Sequence, residues 1–526
     1  MSARLIAGLF LLLFGFYAIS GPGYSISGDG SFMLLSARNL LRTGSSSVPA
    51  IPGTELSRRR GIDGLEYAKY APGLVLAHLP MLVVVQRLEP LRPTVDGRPI
   101  RSLDRDAFYA PFTTAWLMAA TVCGIALCGL VLGFAVNACV ALAALMAISS
   151  PLWLYARIDS SEALQAAALI GAAYALFRRR DAIDVHTTLA AGTLLGVAVA
   201  AKLVNVIFVP WFLLYVGWKA PRGAARVLVC LILPVLVTLA LVAAFNQTRF
   251  GSLSGTGYEL EGGAFDHPML DGIWVQLFSV GHGLMPFCPA LVLLPWGARE
   301  FGRRFPAEAA LVAAVFLSTL GMYSKWWAYW GMSWGPRFLV PTLPLLGLLL
   351  LPLMESGRAA RAAIAVLSLV GVGVQGIAVT SSYWGQVAPV WQRIDVGEIP
   401  AGSATEGVRW WNRLVHLTPI SPLRIGLWWL ENASCRDPQG PRPELTRPPW
   451  VERFPWLDSQ RDSVALADLP GLDLWVVPDC WKRSYISLWS KEPSPIPSNP
   501  HLAWLLVGVL GLGGFLMANG WRRSSA

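Results

Sequence analysis

Apolar residues in this chain gather into blocks close to 20 residues long, parted by short polar stretches. A block of that length crosses the hydrocarbon core of a bilayer as one helix. Lipid offers no partner for a free backbone amide, so each block must be helical. The pattern predicts twelve spans, near residues 4–20, 110–133, 134–156, 162–177, 187–201, 203–218, 225–245, 280–298, 306–323, 338–354, 361–380 and 501–519. One further apolar stretch, 71–86 (APGLVLAHLPMLVVVQ), holds Pro72, His78 and Pro80. Counting it as a span would invert every later loop, so it is expected to lie on, or dip into, the outer surface. The expected fold class is therefore an all-α polytopic membrane protein.

Orientation follows from the basic clusters at short loops. Arg178-Arg179-Arg180, Lys219/Arg222/Arg226, Arg299/Arg303/Arg304, Arg358/Arg361 and Arg522/Arg523 all fall on one side if both termini are cytoplasmic. Residues 21–109 and 382–499 then form long extracytoplasmic segments. This divides the chain into a membrane domain over 1–381, an irregular or mixed domain over 382–499, and a last helix with its tail over 500–526. The first block also reads as a cleavable signal, with Ala18-Ile19-Ser20 as its site. The expected location is the cytoplasmic (inner) membrane, multi-pass.

Composition changes this picture little. Hydrophobic residues make up 54% and mean hydropathy is +0.51. Charged residues make up 14%, against about 25% in a soluble domain. The net charge of +10 is dispersed around the ends of apolar blocks, which points to orientation and anionic lipid and away from nucleic acid. Cys123, Cys128, Cys139, Cys230 and Cys288 sit within apolar blocks. Cys435 and Cys480 do not, and in an oxidising compartment they are expected to form a disulfide. Gly511-Leu512-Gly513-Gly514, like Gly192 and Gly196, reads as helix-packing surface rather than a nucleotide loop. The tryptophans of 382–499 read either as interfacial anchors or as flat faces for sugar rings.

Several polar residues stand out, each with two readings. Asp29, before a helix-like run, is either an N-cap or a functional carboxylate. Asp159 and Glu162, three apart and expected on one helix face, are either a hydrated helix start or two acids turned into the bundle. Lys202 either snorkels or points at an anion. Lys69 and Tyr70 lie in Tyr67-Ala68-Lys69-Tyr70-Ala71-Pro72-Gly73, and Arg58-Arg59-Arg60 reads as a solvated run. Later loops carry Arg249-Phe250-Gly251, Gly257-Tyr258, His282, and Trp330-Gly331-Met332-Ser333-Trp334-Gly335-Pro336-Arg337.

In order, these motifs resemble the GT-C superfamily of integral membrane glycosyltransferases. The likeness is to the phospholipid-carrier-dependent branch, which includes protein O-mannosyltransferases and lipid A aminoarabinose transferases. It runs from residue 1 to about 380, and no single motif is specific; their order is. The resemblance implies transfer of a sugar, hexosyl or pentosyl, from a polyprenyl-phosphate donor to a glycan, lipid or protein acceptor, at an extracytoplasmic site. It implies Asp29 as base and Lys69, Lys202 and Arg337 as phosphate partners. Glu162 and Asp159 would position substrate, with Tyr70, Arg249, His282 and Trp334 as further substrate contacts. The sequence departs from the family at Gly30, where an acid is common, at Ala71, where proline is usual, and at His282, where lysine is common. The resemblance leaves a divalent metal possible but does not indicate one. The alternative is a carrier of a lipid-linked saccharide, for which internal repeats and mid-membrane polar groups are the expected signs.

Overall fold

The computed structural model describes residues 3–21, 28–51, 57–88, 102–220, 224–256, 265–327, 333–380 and 500–525, with short pieces at 92, 94–95, 98–99 and 423. Cys435, Cys480 and the tryptophan-rich segment lie outside the described residues, so the expected disulfide does too. The described chain is mostly α-helical. Among the described residues, six helices are long and apolar enough to cross a membrane: Arg105–Val131, Ala224–Phe250, Pro306–Lys325, Arg337–Glu355, Arg358–Val379 and His501–Trp521.

The other expected spans correspond to shorter or interrupted helices. These include α1 (Ala3–Ile19), the pair α5 (Val136–Ser149) and α6 (Leu152–Arg157), α7 (Ser161–Arg178), α8 (Val185–Ala201) and α9 (Val209–Lys219). Proline accounts for two of the breaks. It has no N–H to continue the ladder, and it pushes the residue before it toward extended backbone. Ser150, before Pro151, is extended and separates α5 from α6. Cys288 likewise precedes Pro289, where a short helix Leu284–Phe287 gives way to a 3-10 turn.

Small residues set the packing, as expected where lipid removes the hydrophobic drive for helices to associate. α7 buries Ala163, Ala166, Ala168, Ala172 and Ala173 between α8 and α4 (Ser102–Val131). Gly192 of α8 meets the Leu231 backbone of α10 (Ala224–Phe250). α1 runs antiparallel to the last helix (Pro500–Ser525), with Leu5 beside Gly520, and Ile19 and Leu502 in one cluster. A side chain on Gly513 would reach 2.6 Å from the Leu12 amide, whereas Gly511 and Gly514 face open space. α10 exposes Val229, Leu233, Val237 and Leu241 at four-residue steps, an apolar stripe that suits lipid.

The stretch 71–86 forms α3 (Gly73–Arg87). Gly73 packs on Ala200 and Ala201 at the C-terminal end of α8. Val85, near the other end, clusters with Ile19 at the end of α1 and Leu502 at the start of the last helix. Under the charge-derived orientation those three helix ends share one side, so α3 runs across the ends of the spans.

Two features depart from the all-helical expectation. The first long loop holds a three-stranded antiparallel sheet, order β1-β3-β2, formed by β1 (Ser47–Val48), β2 (Arg58–Arg60) and β3 (Glu66–Ala68), and a short antiparallel pair of β4 (Thr94–Val95) and β5 (Arg98–Pro99). The run Arg58-Arg59-Arg60, expected as merely solvated, is an edge strand of the first sheet. Arg58 pairs with Glu66 at 3.0 Å, and Arg59 lies over the Phe250 ring at 5.1 Å.

Candidate functional site

Four segments far apart in the chain converge on one charged centre. The first is α2 (Gly28–Thr43), whose first turn carries Asp29. Both carboxylate oxygens are taken by side chains from elsewhere. Oδ1 accepts from the Tyr70 hydroxyl at 2.5 Å, and Oδ2 accepts from Arg337 Nη2 at 2.8 Å. The side chain is therefore held by Tyr70 and Arg337.

Arg337 opens a 3-10 helix, Arg337–Thr342, directly after a turn at Gly335. Gly335 has φ +63°, a conformation that a side chain strains, and a Cβ there would lie 3.0 Å from the Phe287 ring. The turn sends Trp334 inward and Arg337 toward the carboxylates. Trp334 is fully buried, edge-on to Phe287 at 5.2 Å, and its carbonyl accepts from the Tyr155 hydroxyl at 3.3 Å.

The third segment is the turn between α6 and α7. Arg337 Nε donates to Glu162 Oε1 at 2.7 Å, and Glu162 is almost wholly buried in the first turn of α7. A carboxylate there also faces the positive end of the helix dipole. Asp159 and Glu162 do not share a helix face as expected, because α7 begins at Ser161 and Ser160 is extended. Asp159 reaches the centre another way. Gly30 packs directly on its carbonyl and carboxylate, and a Cβ at residue 30 would sit 2.6 Å from Oδ2. The position where the family commonly has an acid thus has no room for any side chain, and the Asp159 carboxylate fills that space.

The fourth segment leaves β3 as Lys69-Tyr70. Lys69 Nζ lies 5.4 Å from the Tyr70 ring and acts electrostatically on Asp29. Burial works against a charged Asp29, but Arg337, Lys69 and the Tyr70 hydroxyl outweigh it and hold the pKa down to about 2. Lys202, at the end of α8, sits over stacked rings of Tyr323 and Phe338, 4.3 Å from the Phe338 centroid, within electrostatic reach of Glu162. These two aromatic residues bracket the loop that carries Trp326, Trp327 and Trp334.

The remaining expected residues fall around this centre. Arg249 is buried, donating from Nη1 to the Ala68 carbonyl and from Nη2 to Asn246, each at 2.8 Å. It fastens the end of α10 to the strand that leads into Lys69. His282 is fully buried in the turn after α11 (Met269–Phe278), just before the helix whose Phe287 packs on Trp334. Among the described residues, no group of three or more His, Cys, Asp or Glu is arranged to hold a metal ion.

No family model matches the chain, and no curated protein sequence matches it. Among solved structures it is similar to ArnT from Cupriavidus metallidurans in the apo state, at 14% identity and TM-score 0.45, covering 80% of this chain and 76% of that one. The same enzyme bound to undecaprenyl phosphate gives 16% identity and TM-score 0.45, covering 82% and 80%. An Archaeoglobus fulgidus oligosaccharyltransferase in the apo form gives 12% identity and TM-score 0.41, covering 84% of this chain and 60% of that one.

Proposed function

We propose that this protein is a membrane glycosyltransferase of the GT-C type, moving a sugar from a polyprenyl-phosphate donor to an acceptor hydroxyl on the extracytoplasmic side. The observation that carries this reading is the single guanidinium of Arg337, bonded to Asp29 and to Glu162. Three motifs that run in family order along the sequence meet at that one group. In the reaction the acceptor oxygen bonds to the anomeric carbon as the bond from that carbon to the phosphate oxygen breaks. The electron pair stays on the lipid phosphate, a competent leaving group that needs no general acid. Asp29 takes the acceptor's proton. Arg337, Lys69 and Lys202 stabilise charge growing on the phosphate, which is where preorganised cations lower the barrier most.

The test supplies the purified protein, in lipid nanodiscs, with a panel of isotope-labelled polyprenyl-phosphate sugars and envelope extract as acceptor. Transfer should release free polyprenyl phosphate and move label out of the carrier lipid, both read by mass spectrometry, and Asp29→Asn should abolish it. A panel in which no donor turns over beyond the Asp29→Asn background would overturn the reading.

A further inference from the structure

At rest the proposed base is occupied. Asp29 has its two oxygens bonded to Tyr70 and Arg337, and a carboxylate so stabilised is a poor proton acceptor. Arg337, which the same reading assigns to the donor phosphate, is equally committed, with Nε on Glu162 and Nη2 on Asp29. The two bonds are not equivalent. Glu162 is 1% exposed whereas Asp29 is 32% exposed, so the Asp29 end is the one that solvent or ligand can reach. Among the described residues, the charges facing the centre are Asp29 from α2, Asp159 and Glu162 from the start of α7 and the turn before it, Lys69 after β3, Lys202 from α8, and Arg337. A phosphate that arrives there competes with Asp29 for the Arg337 guanidinium.

Building on the glycosyltransferase reading, we infer that the Arg337–Asp29 ion pair is an exchangeable lock on the base. Arg337 stays anchored to Glu162 through Nε and turns its Nη2 end from Asp29 to the lipid phosphate. Donor arrival thereby frees one carboxylate oxygen, beside the sugar, to receive the acceptor's proton, while Tyr70 keeps the carboxylate oriented. Glu162 is a positioning residue in this scheme: it holds the pivot. The lock makes binding ordered, because the base becomes competent only after the donor phosphate is seated.

A double-mutant cycle on ligand binding tests this. The probe is farnesyl phosphate, a short polyprenyl phosphate, titrated calorimetrically into nanodisc-embedded protein with matched gel-filtration profiles. Asp29→Asn releases Arg337 in advance, so it should tighten binding about three- to tenfold, the scale of coupling between contacting charges. Arg337→Ala should weaken binding. In the Arg337→Ala background Asp29→Asn should add nothing, because the gain passes through Arg337. Glu162→Gln also removes a negative charge, yet should weaken binding by loosening the pivot, which provides an independent reading should Asp29→Asn fold poorly. Unchanged or weaker binding by Asp29→Asn would overturn the lock, as would a gain that survives in Arg337→Ala, the mark of simple through-space repulsion. Tighter binding by Glu162→Gln would overturn it as well. Each of these outcomes leaves the glycosyltransferase reading standing. Failure of the wild-type protein to bind farnesyl phosphate at all would remove both.

Discussion

At the smallest scale, the proposed base is Asp29, held between Tyr70 and Arg337. Asp29→Asn keeps the size of the side chain but loses the charge that holds Arg337, and it cannot take a proton. Sugar transfer should fall by at least about 10²-fold, the usual scale for losing a general base, with helix content by circular dichroism unchanged. Turnover near the wild-type rate would remove the central catalytic assignment. The depressed pKa also makes a stability prediction. Against the effect of burial, Arg337, Lys69 and the Tyr70 hydroxyl hold the Asp29 carboxyl down to about 2, below its ordinary 3.8. Its ion pair therefore contributes fully above about 4, and that contribution fades as pH falls through the folded value. The difference in thermal stability between wild type and Asp29→Asn should be constant from neutrality down to about pH 4 and shrink below it. A difference that shrank between pH 7 and 5 would contradict the placement of Arg337 beside this carboxylate.

At the scale of elements, the contact between α2 and the α6–α7 turn decides how the acids are arranged. Gly30 lies on the Asp159 carbonyl with no space for a side chain. Gly30→Asp would restore the acid common in the resembling family, yet here it should lower transfer by more than tenfold, on the order of what sub-ångström to ångström misplacement costs an active site. It forces α2 off the turn and moves Asp29 with it. Restored or raised activity would mean that the two acids are interchangeable and that the tight packing does not matter. The sheet acts at the same scale. Arg249 holds the Ala68 carbonyl, so its loss is felt at Lys69 and Tyr70, the next two residues.

For the whole molecule, the placement of α3 carries the topology. Its two ends meet the ends of α8, α1 and the last helix, which the basic loops assign to one side. With the native thiols removed, single cysteines introduced by Val95→Cys and Asp395→Cys should both react with an impermeant thiol reagent applied from outside. Protection of position 95 in intact cells, with labelling after they are opened, would mean that α3 crosses the membrane and that every later loop is inverted.

The membrane class and most helix positions were legible in the sequence, because hydrophobicity and length are local quantities and a bilayer reads them locally. Charge near the loops gave an expected orientation for the same reason, and the cysteine labelling above tests it. The candidate residues were legible one at a time, and the ordered motifs indicated that Asp29, Glu162 and Arg337 belong to one site. Their pairing was not legible. Arg337 is 308 positions from Asp29 and 175 from Glu162, and no local pattern fixes which carboxylate a distant guanidinium meets. Nor could the sequence reveal that Arg249 is spent on a backbone carbonyl, that three arginines form a strand edge, or that Asp159 fills the space above Gly30. Those outcomes depend on how helices already formed pack together: close approach at glycine and alanine, proline breaks in the ladder, and the need of each buried charge for a partner. Sequence determined which segments enter the membrane and which residues carry charge at their ends; tertiary packing decided which of those charges face one another.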